Sequence, residues 1–169
     1  MLFFFLGCGN KNEIIALGER ENLPKLKAYN VSTVVSDSGI TRYRMNTKEL
    51  IVFDKVPEPY LKFPKGIYIE RFDEDYHIDA QLEADEAIFF EKTSIWKLNG
   101  KVKALNLQGE TFETEELFWN QKEEKIYTDK FMKITQKSRI ITGLGFESNQ
   151  TLTRYIIRKP KGVIPLQGN

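Results

Sequence analysis

One cysteine and one histidine, Cys8 and His77, are all that 169 residues supply of the side chains that most often carry metal, redox or thiol chemistry. A lone cysteine excludes an intrachain disulfide, and a lone histidine excludes the histidine-rich sets that hold transition metals. Long apolar runs are lacking too. The stretch Leu2 to Leu6 falls far short of the roughly 20 residues a membrane-crossing helix needs, nothing later comes closer, and the body reads as soluble. Charge of one sign is also missing: 25 basic residues face 24 acidic ones, so no cationic field exists to gather nucleic acid. No composition break divides the chain, and its length suits one domain with a sizeable core.

What is present is short-range alternation. The stretches TRYRMNT (41–47), HIDAQLEAD (77–85) and VKALNL (102–107) are alternating or β-rich. The second sets Ile78, Ala80, Leu82 and Ala84 on one face and Asp79, Gln81, Glu83 and Asp85 on the other. Turn chemistry separates such stretches at Asp37-Ser38-Gly39, Lys65-Gly66, Asp73-Glu74-Asp75, Asn99-Gly100, Gln108-Gly109 and Glu123-Glu124. Asn99-Gly100 is the clearest hairpin signal among them. Pro57, Pro59 and Pro64 assign VPEPYLKFP to a loop or an edge strand, because proline cannot donate to a central ladder. No uninterrupted helical stripe follows residue 30, so the body is expected to be all-β.

A repeat organises these strands. A small residue, two polar residues and an apolar one precede an aromatic in TKELIVFD (47–54), ADEAIFFE (84–91) and TEELFWN (114–120), with a weaker copy, GLGFES, from Gly143. The intervals between first residues are 37, 30 and 29, a period of one or two hairpins. Each unit also carries an aromatic expected just before a turn: Tyr60, Trp96 and Tyr127. Repeated hairpins with one apolar face close as a sandwich, a roll or a barrel.

Catalytic patterns are weak. The acidic turn Asp73-Glu74-Asp75 beside His77 fails the calcium-loop pattern and reads as a solvated hairpin tip. Gly143-Leu144-Gly145 lacks the third glycine of a dinucleotide loop and reads as a bulge or a close approach of strands. A hydrolase triad would have to be built around the single His77. The informative content lies in the apolar faces, whose inward candidates are Met45, Ile78, Leu82, Ala84, Val102, Phe112, Met132, Ile134 and Ile141. Periodicity alone leaves two readings of them: an ordinary closed core, or an elongated groove for acyl chains.

Four long segments are recognisable in order: ENLPKLKAYNVSTVVSDSGITRYR, EPYLKFPKGIYIERFDEDYHIDAQLEADEAIFFE, LNGKVKALNLQGETFETEELFWNQKEEKIYTDKFMKI and IITGLGFESNQTLTRYII. Together they resemble the LptC family of lipopolysaccharide-export proteins, in the form found in Bacteroidetes, over about residues 21 to 165. The resemblance implies a twisted, half-open antiparallel β-jelly roll like that of LptA. It implies a periplasmic carrier without catalytic residues or cofactors, which accepts lipopolysaccharide from the inner-membrane transporter LptF/LptG with LptB and passes it to LptA. Acyl chains would ride inside the roll, and that favours the groove reading of the nine inward residues. By the same analogy the edge near Val31 to Tyr43 meets the transporter and the edge near Leu152 to Arg158 meets LptA. Two other readings are kept beside it: a soluble LptA-like bridge or chaperone, and a surface lipoprotein binding glycans through Trp96, Trp119 and Tyr127.

The first residues carry an address. Phe5-Leu6-Gly7-Cys8 resembles a lipobox, in which cleavage before Cys8 leaves a thiol for lipidation. The chain is thus expected to divide into a signal remnant (1–8), a tether (9–27) holding at most a short helix at Glu13 to Leu17, and an LptC-like jelly roll (28–169). Attachment to the inner membrane is expected through a lipid on Cys8 or through an N-terminal helix lying upstream.

Overall fold

The computed structural model describes residues 23–166. Among them every helix-or-strand element is a strand: β1 (Leu26–Asp37), β2 (Ile40–Phe53), β3 (Tyr60–Phe63), β4 (Ile67–Phe72), β5 (Ile78–Ala84), β6 (Glu86–Phe90), β7 (Ile95–Asn106), β8 (Thr111–Asn120), β9 (Lys125–Thr135), β10 (Arg139–Asn149) and β11 (Tyr155–Pro165). All pairings are antiparallel. Short strands share long partners: β3 and β4 lie end to end along β2, and β5 and β6 lie end to end along β7. The sheet therefore runs from β1 to β11 as a meander. Among the described residues β1 pairs only with β2 and β11 only with β10, so both edges stay open. This is a jelly roll, and no helix among the described residues is long and apolar enough to cross a membrane.

The long strands bend, and the bends form one crease. Four register shifts fall along it, between Asn99 and Val102, Thr114 and Phe118, Leu144 and Phe146, and Thr142 and Gly143, while two others, at Val35/Ser36 and Arg71/Phe72, lie towards the free ends of the strands. The four repeats begin at this crease, which gives the small first residue its physical reason. Thr47 Oγ1 donates to the Gly66 carbonyl and Thr114 Oγ1 to the Phe131 carbonyl, each at 2.7 Å, so a hydroxyl fastens the bend to the neighbouring strand. At Gly143 space is the requirement: a Cβ there would stand 2.3 Å from Ile157 Cγ2.

Several local expectations are corrected by this geometry. Asn99-Gly100 is not a hairpin turn but a bulge inside β7, where Gly100 and Lys101 take φ of 74° and 44°. There β7 changes partner from β6 to β5, and the Gly100 carbonyl accepts from the Asp85 amide at 2.9 Å. An Asn-Gly bulge and an Asn-Gly turn both need left-handed backbone, so the two leave the same local signature. The segment Tyr60–Phe63 is neither loop nor edge: it pairs with β2 on one side and β6 on the other, with its prolines outside the strand. Tyr60, Trp96 and Tyr127 follow turns and do not precede them. The tip Asp73–Asp75 is an exposed turn whose Asp73 Oδ1 accepts from the Asp75 and His77 amides at 3.0 and 2.8 Å. Strand β1 begins at Leu26, within the stretch read as tether; residues 9–22 of that stretch, with the short helix expected there, lie outside the described residues, as does Cys8.

The crease divides the sheet into two arms that pack face to face. The tryptophan arm holds β3, β6 and the adjoining halves of the long strands; the methionine arm holds β4, β5 and the other halves. Tyr43 of the methionine arm meets Trp119 edge to face at 5.1 Å, and Phe112 meets Phe146 and Tyr155 at 5.6 and 5.3 Å. Between the arms Leu98, Ile134 and Phe146 have no exposed surface. Each such side chain contributes about 1.5–3 kcal/mol relative to exposure.

Candidate functional site

Inward side chains of the methionine arm form a row that crosses the strands. Register places Met45 opposite Ile69, Ile69 opposite Leu82, Leu82 opposite Ala104, Ala104 opposite Phe112, Phe112 opposite Ile134, and Ile134 opposite Ile141. Antiparallel strands lie about 4.8 Å apart, so this row of seven strands is about 30 Å long and runs from the β1 side towards the β11 side. A second row beside the crease joins Val102, Thr114, Met132 and Gly143, with Ala84 opposite Ile67 in the same tier.

All nine residues expected to face inward lie in this one arm. Leu82, Ala84, Val102, Phe112, Met132 and Ile134 are buried in the core, and Met45 and Ile141 pack against it half-buried. Ile78 starts β5, is half-buried and lies outside the packed cluster. The arms stand closed on these residues: the cavity lined by Ile69, Leu82, Ala104, Trp119, Ile126 and Leu152 holds only about 20 Å³.

Sequence reasoning missed Ile69 and Ala104 in the row and the whole facing wall. Ala104 alternates with Val102 in VKALNL and was open to detection. The wall consists of Phe63, Trp96, Leu98, Leu117, Trp119, Ile126 and Phe146, whose opposition to the methionine arm depends on the crease. Trp96 and Trp119 are 3% and 4% exposed, with rings stacked at 6.3 Å. They therefore present no face to a sugar, which removes two of the three aromatics on which glycan binding rested. Tyr127 is half-buried and stacks on Phe118 at 5.3 Å. Both indole Nε1 groups are buried without a hydrogen-bond partner, a cost of about 1–3 kcal/mol apiece.

Ionisable side chains lie outside the row. At the arms' free ends Arg71 and Asp79 pair at 2.6 Å, and burial raises the Asp79 carboxyl above its usual range against the pull of Arg71. Burial likewise raises the Tyr43 hydroxyl, which donates to Gln150 at 3.4 Å. At the crease Glu49, 3% exposed, is held by Lys27 at 2.7 Å and Lys65 at 2.6 Å. Hydrogen bonds from these two lysines keep its carboxyl below the usual range. Among the described residues no group of histidine, cysteine and carboxylate side chains could hold a metal.

These features, an apolar interior between two arms and open edges on both sides, accompany a match to a family model. The model described as lipopolysaccharide-assembly, LptC-related, matches residues 2–157. No curated protein matches the chain.

Proposed function

The chain belongs to the LptC-related family of lipopolysaccharide assembly, a transport family and not an enzyme family, and from that premise we propose that it is a periplasmic carrier of lipopolysaccharide. It accepts the lipid from the LptF/LptG transporter with LptB and passes it to LptA, without catalysis of its own. The observation that carries this reading is the cross-strand row Met45-Ile69-Leu82-Ala104-Phe112-Ile134-Ile141, an apolar lane from β2, beside one open edge, to β10, beside the other. An acyl chain moving through water exposes about 0.8 kcal/mol per CH2, and a lane of aliphatic side chains recovers that without a deep pocket. The arms part at their free ends to admit the chains, and the phosphorylated sugars stay outside.

The open edges supply the docking sites. An unpaired strand recruits a further strand, so like rolls join edge to edge and their lanes become continuous. Strand β1 faces the transporter and β11 faces LptA. Exposed Val34 and Val35 on β1, and Ile156, Val163 and Ile164 on β11, are the apolar groups such docking covers. Tyr43 and Leu152, named with these edges from sequence, lie inside them: Tyr43 is on β2, and Leu152 is buried. Lipidation of Cys8 holds the roll at the inner membrane, and palmitate labelling lost in Cys8→Ser is the check on that anchor.

Photo-cross-linking in cells tests the carrier. Cross-linkers at Leu82 and Phe112 are expected to capture lipopolysaccharide, and those at Ile156 and Val163 to capture LptA. Adducts confined to the protein itself at the first two positions would mean a permanently closed core and end the carrier reading.

A further inference from the structure

Opposite the crease the free ends of the two arms meet, and the loop from Gln150 to Arg154 lies across that mouth. Leu152 at its centre is buried to 2% exposure, with a left-handed φ of 57°. That backbone is unfavourable for any residue with a Cβ, and a leucine holds it only where the surroundings impose it. Leu152 lines the same small cavity as Ile69, Leu82, Ala104, Trp119 and Ile126, so it stands on the mouth side of the lane, beside its middle strands. Trp119, whose indole N–H has no partner, belongs to that lining too.

The loop's hydrogen bonds divide into two sets. Within the loop and its base, Asn149 accepts from the Thr153 and Arg154 amides at 3.0 and 2.9 Å and donates to Thr151 at 2.7 Å. These bonds travel with the loop if it swings. The set that ties it to the roll is small: Asn106 Nδ2 to the Leu152 carbonyl at 3.0 Å, the Gln150 amide to the Glu124 carbonyl at 2.9 Å, and Tyr43 to Gln150 at 3.4 Å. A prefabricated unit with a strained apolar tip and three outside ties is built to leave as a piece.

We propose that this loop is a plug: Leu152 stands where the carbonyl end of an acyl chain lies when the lane is loaded, and the loop withdraws to admit it. The ligand class is an acyl chain joined through an ester or amide, because its carbonyl supplies the acceptor that Trp119 Nε1 lacks. The proposal rests on the carrier reading above, and its test separates the two.

The full chain, the variant Leu152→Gly, which keeps the left-handed backbone while removing the plug, and the variant Asn106→Ala, which keeps the plug while cutting a tie, are compared. N-phenyl-1-naphthylamine reports access to the interior, and amide hydrogen exchange at Gln150, whose N–H is the tie to the Glu124 carbonyl, reports release of the loop. Leu152→Gly is expected to raise probe fluorescence several-fold, and Asn106→Ala to speed loop exchange about tenfold with a smaller rise in fluorescence. A folded Leu152→Gly with unchanged probe uptake overturns the plug. Should that variant not fold, Asn106→Ala decides: unchanged loop exchange and uptake overturn it equally. Purified lipopolysaccharide added as competitor reads the other premise. Uptake that rises in the variants but is not displaced upholds the plug and overturns the carrier, whereas equal lipopolysaccharide binding by all three proteins upholds the carrier and overturns the plug.

Discussion

The middle of the sheet and its two edges are built by opposite rules. From β7 to β9 the inward residues are almost wholly buried, as with Leu98, Val102, Leu117, Met132 and Ile134. Strand β1 has ten of its twelve residues exposed, and its contact with the rest runs through the ladder to β2. Strand β11 is similar, with only Tyr155, Ile157 and Val163's neighbour Gly162 shielded to any degree. The middle is stabilised by buried side chains; the edges are stabilised chiefly by backbone pairing, with most of their side chains exposed. Such a division suits a roll whose fold resides in one place and whose contacts reside in another.

The sharpest way to break this comparison is one truncation made in both regions. Leu98→Ala, at a position with no exposed surface, is expected to cost about 2–5 kcal/mol through lost burial and an unfilled cavity. Val34→Ala on β1, 53% exposed, is expected to stay within about 0.5 kcal/mol. Urea unfolding of both variants measures the contrast. Similar costs would mean that β1 is covered in solution by something that shields Val34.

How much of this was legible in the sequence follows the same division. Strand alternation such as Ile78, Ala80, Leu82 and Ala84 is a local property, and β5 carries it as written. The repeat was equally visible at Thr47, Ala84, Thr114 and Gly143, yet its meaning was not, because a bend and a hairpin place small and polar residues in the same order. Only pairing distinguishes them: Thr114 reaches the carbonyl of Phe131, seventeen residues on. The facing of the two arms, and the tie from Asn106 to Leu152 across 46 residues, leave no local trace at all. Sequence therefore displayed one wall of the lane, and the crease that brings the second wall against it had to be seen in three dimensions.

The crease offers an intermediate test. Thr114→Val keeps the shape of the side chain but leaves the Phe131 carbonyl without its 2.7 Å partner, an expected loss of about 1–3 kcal/mol. The same change at Thr33, exposed on β1, is expected to be near neutral. Equal thermal shifts in the two variants would show that the repeated threonine does not fasten the bend and that the crease is held by packing alone.

The smallest effect concerns the bond between edge and middle. Glu49 of β2 joins Lys27 of β1 and Lys65 of the β3–β4 turn, and both partners are well exposed, so the contribution is modest. Its sign is set by linkage. The folded carboxyl is held below the ordinary carboxylate range, chiefly by the hydrogen bond from Lys27 and then by that from Lys65. The pairing therefore stabilises fully above that range and is lost as pH falls through the folded value. Glu49→Gln is expected to lower the urea midpoint near pH 7, and the gap from the unaltered chain is expected to narrow as pH falls below the ordinary carboxylate range. A gap that stays constant over that range would assign the loss to packing around residue 49. A gap that closes shows that charge at the crease helps to fasten β1, and that acid loosens the edge proposed to face the transporter while leaving the apolar packing between the arms in place.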